Sequence, residues 1–117
     1  MLVPDGSKGG DVIRGTLDLL ILHVLLAGPL HGWAILEQIE QRSRDLLRVN
    51  QGSLYPALYR LVREKKVKSE WRHTEANRRA RYYVLTEKGR QQLREERTQW
   101  ERLSKGVALV IGQEAFA

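Results

Sequence analysis

Apolar residues crowd the stretch from Leu17 to Leu26. Leu17, Leu19, Leu20, Ile21, Leu22, Val24, Leu25 and Leu26 surround a helical wheel and do not form one stripe. A helix of this kind is buried on more than one side, and in so small a chain the second side can belong to a partner subunit. Thr16 reads as its N-cap, with Asp18 in the first turn complementing the helix dipole. The preceding "MLVPDGSKGGDVIR", residues 1–14, is rich in Gly and polar groups and predicts a flexible arm. "AGPLHG" ends the first helix. A second is predicted from Trp33 to Ser43, with Ile35, Leu36 and Ile39 facing inward. "RDLLRVNQG" follows as a connection that Leu46, Leu47 and Val49 tuck down. In "QGSLYPALYRL" the apolar positions Leu54, Ala57, Leu58 and Leu61 recur at helical spacing. With Ser53 as N-cap, Pro56 falls at the third helical position, where the amide it lacks has no intrahelical partner. This third helix ends near Lys65-Lys66.

The period then changes from helical to alternating. "VKSEW" places Val67, Ser69 and Trp71 on one face and Lys68 and Glu70 on the other. "RYYVLT" is rich in aromatic and β-branched residues, and "RHTEANRRA" between the two reads as a hairpin loop. Thr86 caps a long last helix. There Leu93, Trp100, Leu103, Val107 and Val110 occupy a and d positions of a heptad, Glu96 breaks the first d, and Gly106 weakens the seam. A seam this narrow suits one helix packed on another. The expected fold is mainly α with a β-hairpin. Three helices, a hairpin and a long helix give a winged helix-turn-helix with a C-terminal dimerisation helix. The boundaries are an arm at 1–14, a winged helix domain at 15–86, the dimerisation helix at 87–112 and a tail at 113–117.

Charge sharpens this picture. The 117 residues carry a formal charge of +6 and a pI near 10.0. Residues 60–90 hold 11 Lys/Arg against 4 Asp/Glu, so the whole excess lies in this middle segment, beside the third helix. A solvated basic face is the plain reading of a charge run, but its place beside an unusual helix points to a polyanion, double-stranded DNA. There is no cysteine, so no disulfide or thiolate metal site can form. "LLILHVLLAG" is much shorter than the roughly 20 apolar residues a membrane span needs. Asp5, Asp11 and Asp18 also argue against a signal peptide. A cytoplasmic location without membrane contact is expected.

In a helix-turn-helix the N-terminal residues of the third helix meet base edges in the major groove. Here that tip holds Asn50, Gln51, Gly52 and Ser53, and the outward face carries Tyr55, Pro56, Tyr59, Arg60 and Arg63. Tyr55 can donate to a phosphate or rest on a thymine methyl, and Arg60 and Arg63 can reach phosphate or guanine. Tyr59 either touches DNA or supports the hairpin. Arg78, Arg79 and Arg81 cluster where the loop enters the second strand, and the last two share a face. They suit minor-groove or phosphate contact. The alternative is a solvated loop with Arg78 or Arg79 paired to Glu75.

The motifs "GTLDLLIL", "GPLHGWAI", "GSLYPALYRLVRE" and "NRRARYYVLTEKG" closely resemble the PadR family of bacterial transcriptional regulators, over roughly residues 14–104. The resemblance implies a winged helix dimer, usually repressing transcription from a palindromic operator. Ser53, Tyr55 and Pro56 match the family's recognition-helix start, and Arg78, Arg79 and Arg81 match its basic wing. Trp71, Tyr82 and Tyr83 match its hairpin aromatics, read mainly as core. The single C-terminal helix matches the family's short members. Lys66 stands where many members turn out of the recognition helix on a glycine. Some relatives sense aromatic or drug-like molecules, in places through a tryptophan on the last helix. Trp100 is accordingly a candidate for lining a pocket for a small aromatic effector, against the alternative of a buried dimer-interface residue. Trp33 reads as core or interface.

The expected homodimer interface comprises Leu17, Leu20, Ile21 and Val24 of the first helix with Leu93, Trp100, Leu103, Val107 and Val110 of the last. Nothing suggests an enzyme, metal or cofactor. His23, His31 and His73 lack ligand spacing, and Glu95 and Glu96 are neighbours on a solvated helix. The competing function is a winged helix that docks an acidic protein partner without specific DNA binding, since fold alone does not settle function.

Overall fold

The computed structural model describes residues 9–113. Helix α1 spans Gly9–Val24 and runs into a 3₁₀ turn at Leu25–Ala27. A short strand β1 (Leu30–His31), helix α2 (Gly32–Arg42) and helix α3 (Gln51–Arg63) follow. Strands β2 (Val67–His73) and β3 (Arg79–Leu85) form the hairpin, and helix α4 (Glu87–Ile111) closes the chain.

Helix α1 starts well before the expected cap at Thr16. A capping residue permits a start but does not impose one, and the single interior Gly15 costs only about 1 kcal/mol. Part of the predicted arm is therefore helical. Residues 1–8 of that arm and 114–117 of the predicted tail lie outside the described residues.

The core is shared by all the helices and the base of the hairpin. Ile21, Leu22 and Leu25 meet Ile35, Leu54, Leu58 and Leu61, and Val67 and Tyr83 close the stack beneath the sheet. The inward residues expected of α2 and α3 are the buried ones. Helix α1 packs on α2, α3 and α4 together, which accounts for its all-round apolar surface. Leu17, Ile21, Val24 and Leu93 are consequently buried within the protomer. That corrects their assignment to a partner-facing seam: the second buried side of α1 is covered by the chain's own helices. In the α2–α3 connection only Val49 is buried. Leu46 is 86% exposed, because Arg44 and Asp45 take left-handed conformations (φ 52° and 63°) and swing the loop outward.

The sheet has three strands in the order β1-β3-β2, all antiparallel. Strand β1 pairs Leu30 with Tyr83 and His31 with Tyr82. Two residues are too few to show an alternation, so the sequence pattern gives only the hairpin. Thr86 caps α4 as expected, accepting from the Gly89 amide at 3.0 Å. Its hydroxyl also donates to the Lys65 carbonyl at 2.8 Å, which fastens the start of α4 to the end of α3.

The end of α3 explains why glycine can be dispensed with there. The left-handed residue is Lys65 (φ 64°), one position before Lys66, where the family resemblance placed the turn. The Lys66 amide donates to Leu61 and the Lys65 amide to Val62, both at 3.0 Å. This pair of bonds satisfies the last carbonyls of the helix in a Schellman turn, and it holds a lysine in a conformation that favours glycine.

Candidate nucleic-acid interface

Helix α3 begins three residues before the expected position. Its cap is Asn50, whose side-chain oxygen accepts from the Ser53 amide at 2.8 Å. Asn50 and Ser53 are both competent caps, and Gly52 between them misleads by reading as a breaker. Pro56 is therefore the sixth helical residue and not the third. It supplies no amide to the carbonyl of Gly52, four residues earlier. Gly52 and Pro56 are both exposed, so that acceptor faces outward on the helix surface.

The outward stripe of α3 runs through Gly52, Tyr55, Pro56, Tyr59 and Arg63, with Gln51 at its tip. Tyr59 is 75% exposed, and its side chain is available. Tyr55 is more constrained. A Cβ on Gly32 would lie 2.6 Å from the Tyr55 hydroxyl oxygen and 2.8 Å from its ring. Its aromatic ring thus rests on bare backbone at the start of α2, with 43% of the residue exposed. The glycine of "GPLHGWAI" and the tyrosine of "GSLYPAL" form one interlocking contact between α2 and α3. His31 caps α2 through Nδ1, which accepts from the Ala34 amide at 3.2 Å. Trp33, expected in a core or interface, is 55% exposed in the next residue of the helix.

Arg60 is turned away from this stripe. Its guanidinium donates to both carboxylate oxygens of Asp18, at 2.9 and 2.7 Å, with side-chain exposures of 18% and 13%. The hydrogen bond to Asp18 raises the Arg60 pKa above its ordinary value. This bidentate pair ties α3 to α1, and the structure gives Arg60 a bracing position in place of the expected one on the outward face. Glu96 of α4 lies close by. Burial raises its pKa, and the Gln92 amide donates to it at 2.8 Å.

The hairpin register places Trp71 opposite Arg81 and His73 opposite Arg79. Val67, Ser69 and Trp71 thus share a face with Arg79, Arg81, Tyr83 and Leu85. At the base this face is buried: Val67, Tyr83 and Leu85 pack on the core. Toward the tip it runs past the core, and Trp71 becomes 55% exposed. Of the three hairpin aromatics that the family resemblance led one to expect in the core, Tyr83 is buried, Tyr82 is half-buried and Trp71 is not a core residue. The guanidinium carbons of Arg79 and Arg81 lie 4.8 and 5.4 Å from the centre of the Trp71 ring. Arg78 sits in the turn, where Asn77 adopts φ 58° and Thr74 closes the loop by accepting from the Asn77 amide. Among the described residues neither Arg78 nor Arg79 forms a salt bridge with Glu75.

On the last helix, Leu103, Val107, Leu109, Val110 and Ile111 are all about half exposed or more, with Val110 at 87%. Between α1, α2 and α4 lies a cleft of about 370 Å³. Leu19, Leu20, Val24 and Ile39 supply its apolar lining, Trp100 flanks it, and His23, Arg42 and Arg97 add three basic groups. Burial, with Arg97 and Arg42 beside it, lowers the His23 pKa. Leu20 and Trp100 are half-buried and reach this cleft from α1 and α4. No described helix is long and apolar enough to cross a membrane.

Known proteins agree with this geometry. Residues 21–95 match the transcriptional regulator PadR-like family. A transcriptional regulator from Clostridium thermocellum has a similar structure, with a TM-score of 0.75 at 31% identity, over 83% of this chain and 94% of that one. The PadR-like transcriptional regulator of Bacillus cereus gives a TM-score of 0.75 at 25% identity, over 89% and 99%. In sequence, a transcriptional regulator of Mycobacterium tuberculosis is 35% identical over 94 residues, covering 80% of this chain and 84% of the relative. Since the fold is a winged helix-turn-helix and the family matches most of it, the chain belongs to the PadR-like family of transcriptional regulators.

Proposed function

We propose that this protein is a homodimeric repressor that binds a palindromic operator. The observation that carries the reading is the pairing of an open stripe on α3 with arginines on the protruding face of the hairpin. Gln51, Tyr55, Tyr59 and Arg63 would enter the major groove, with the α3 tip near a phosphate. Arg78, Arg79 and Arg81 would meet the adjacent phosphates or minor groove. Asn50 and Ser53 would shape the tip as cap and capped amide. Arg60 drops out of the contact set because its guanidinium is engaged by Asp18. The exposed apolar residues from Leu103 to Ile111 would cover one another between two copies, which accounts for so much apolar surface on one helix. The cleft beside Trp100 is the place where a small aromatic effector would bind.

The test compares Tyr55→Phe, Tyr59→Ala and Arg79→Ala with the parent in a titration against a selected operator. Tyr55→Phe is chosen because it keeps the ring on Gly32 while removing the hydroxyl. Arg79→Ala should weaken specific and non-specific binding alike. The two tyrosine changes should alter the ratio between them. Unchanged affinity in all three variants contradicts the DNA-face reading. Weak binding with no preference for the selected sequence favours a protein-docking role for the fold.

A further inference from the structure

We propose that Trp71 is a positioning residue of the wing: its indole holds Arg79 and Arg81 side by side for adjacent phosphates. The inference deepens the DNA-face reading and rests on it. Two guanidinium groups at 4.8 and 5.4 Å from one ring share a single neutral support. Arginine side chains have large rotamer freedom, and a planar guanidinium loses much of it when stacked on an aromatic face. Arg81 is fixed further, since its Nε donates to Ser69 Oγ at 3.1 Å. Among the described residues its terminal nitrogens make no hydrogen bond and can donate elsewhere. Among the described residues no carboxylate forms a salt bridge with either arginine. The pair thus keeps its full charge while its direction is set by an uncharged group.

The location supports the same conclusion. Trp71 lies on the face of the ribbon whose base is core, at the point where that face leaves the core. A tryptophan needed only for packing would gain little at 55% exposure. What it covers here is the two arginine side chains. The opposite face is organised differently: Arg72 is paired with Glu70 at 3.1 Å as well as lying over Tyr82. Among the described residues of the ribbon, only the Trp71 face offers guanidinium groups without a salt bridge in a row.

The experiment uses the full chain and a mixed-sequence duplex of about 30 base pairs at low salt, because wing-to-phosphate contacts are independent of sequence. Affinity and its salt dependence are measured for the parent, Trp71→Ala, Trp71→Tyr, Arg79→Ala/Arg81→Ala, and the triple variant. Trp71→Ala should lose about tenfold in affinity, with a shallower salt slope and a melting temperature close to the parent's. Trp71→Tyr should recover most of the loss, since it keeps an aromatic face. In the background lacking both arginines, Trp71→Ala should cost nothing more. An equal loss in that background would mean that the indole acts without the arginines, and would overturn the proposal. So would parental affinity and slope in Trp71→Ala. If the double arginine variant binds as the parent does, the DNA-face reading itself fails and carries this inference with it.

Discussion

Asp18→Asn is the most informative single change in the scaffold. The substitution keeps the side-chain shape but removes the charge opposite Arg60. The pair has two charge-assisted hydrogen bonds, at 2.9 and 2.7 Å, and little solvent around it. Breaking a fully buried pair costs about 3–5 kcal/mol, because the remaining charge is left without a partner. Here the two side chains keep 13–18% exposure. Water can partly solvate the orphaned guanidinium, and Asn can still accept one bond. A loss of about 2–3 kcal/mol is expected. For a domain of this size that amounts to a fall of roughly 10 °C in melting temperature. In urea the midpoint should fall by about 1–2 M with an unchanged slope. The assay is urea unfolding followed by tryptophan fluorescence, with protein concentration held fixed because association adds apparent stability. Asp18→Leu and Arg60→Met should each show a loss of the same kind, and the double variant Asp18→Leu/Arg60→Met should lose less than those two singles combined, since no charge is left stranded. A change under about 0.5 kcal/mol in Asp18→Asn would refute the reasoning, and would place the pair with surface ion pairs of little worth.

Three further outcomes follow from the packing. Gly89→Ala should destabilise by about 2 kcal/mol in the same unfolding assay, since its Cβ would collide with the Lys66 carbonyl oxygen and the Leu85 side chain. Lys65→Gly should stabilise by about 0.5–1 kcal/mol, the relief of a left-handed lysine exceeding the added freedom of the unfolded chain; Lys65→Ala, which keeps a Cβ, should not. His23 has a lowered pKa in the fold, so the unfolded chain takes up the proton first. Stability should therefore fall as pH drops through the ordinary imidazole range, and His23→Gln should flatten that part of the curve measured by thermal melts.

Much of the fold is legible in the sequence because its cues are local and repeated. Leu54, Ala57, Leu58 and Leu61 mark a helix face, the alternation from Val67 to Trp71 marks a strand, and Thr86 marks a cap. The errors arise where two local signals compete or where a partner comes from far along the chain. Asn50 and Ser53 are both good caps, and a start at the second places Pro56 three positions too early in the helix. Arg60 looked free on a helical wheel, but its acceptor is Asp18, 42 residues earlier, and no periodicity reports such a pairing. Leu17, Ile21 and Val24 showed that α1 is buried all round, but not that its own chain covers it. Trp71 fits the core alternation of its strand, yet the strand outruns the core. Gly32 and Tyr55 stood out as separate motifs, and only folding shows that each requires the other.

Operator recognition by a dimer is read out by selecting bound sequences from a random DNA pool and footprinting the winner with the full chain. A dimeric winged helix should select an inverted repeat, protected over two half-sites about one helical turn apart, with flanking protection that weakens in Arg79→Ala/Arg81→Ala. Failure of the pool to converge, or a single unrepeated protected site, would contradict it.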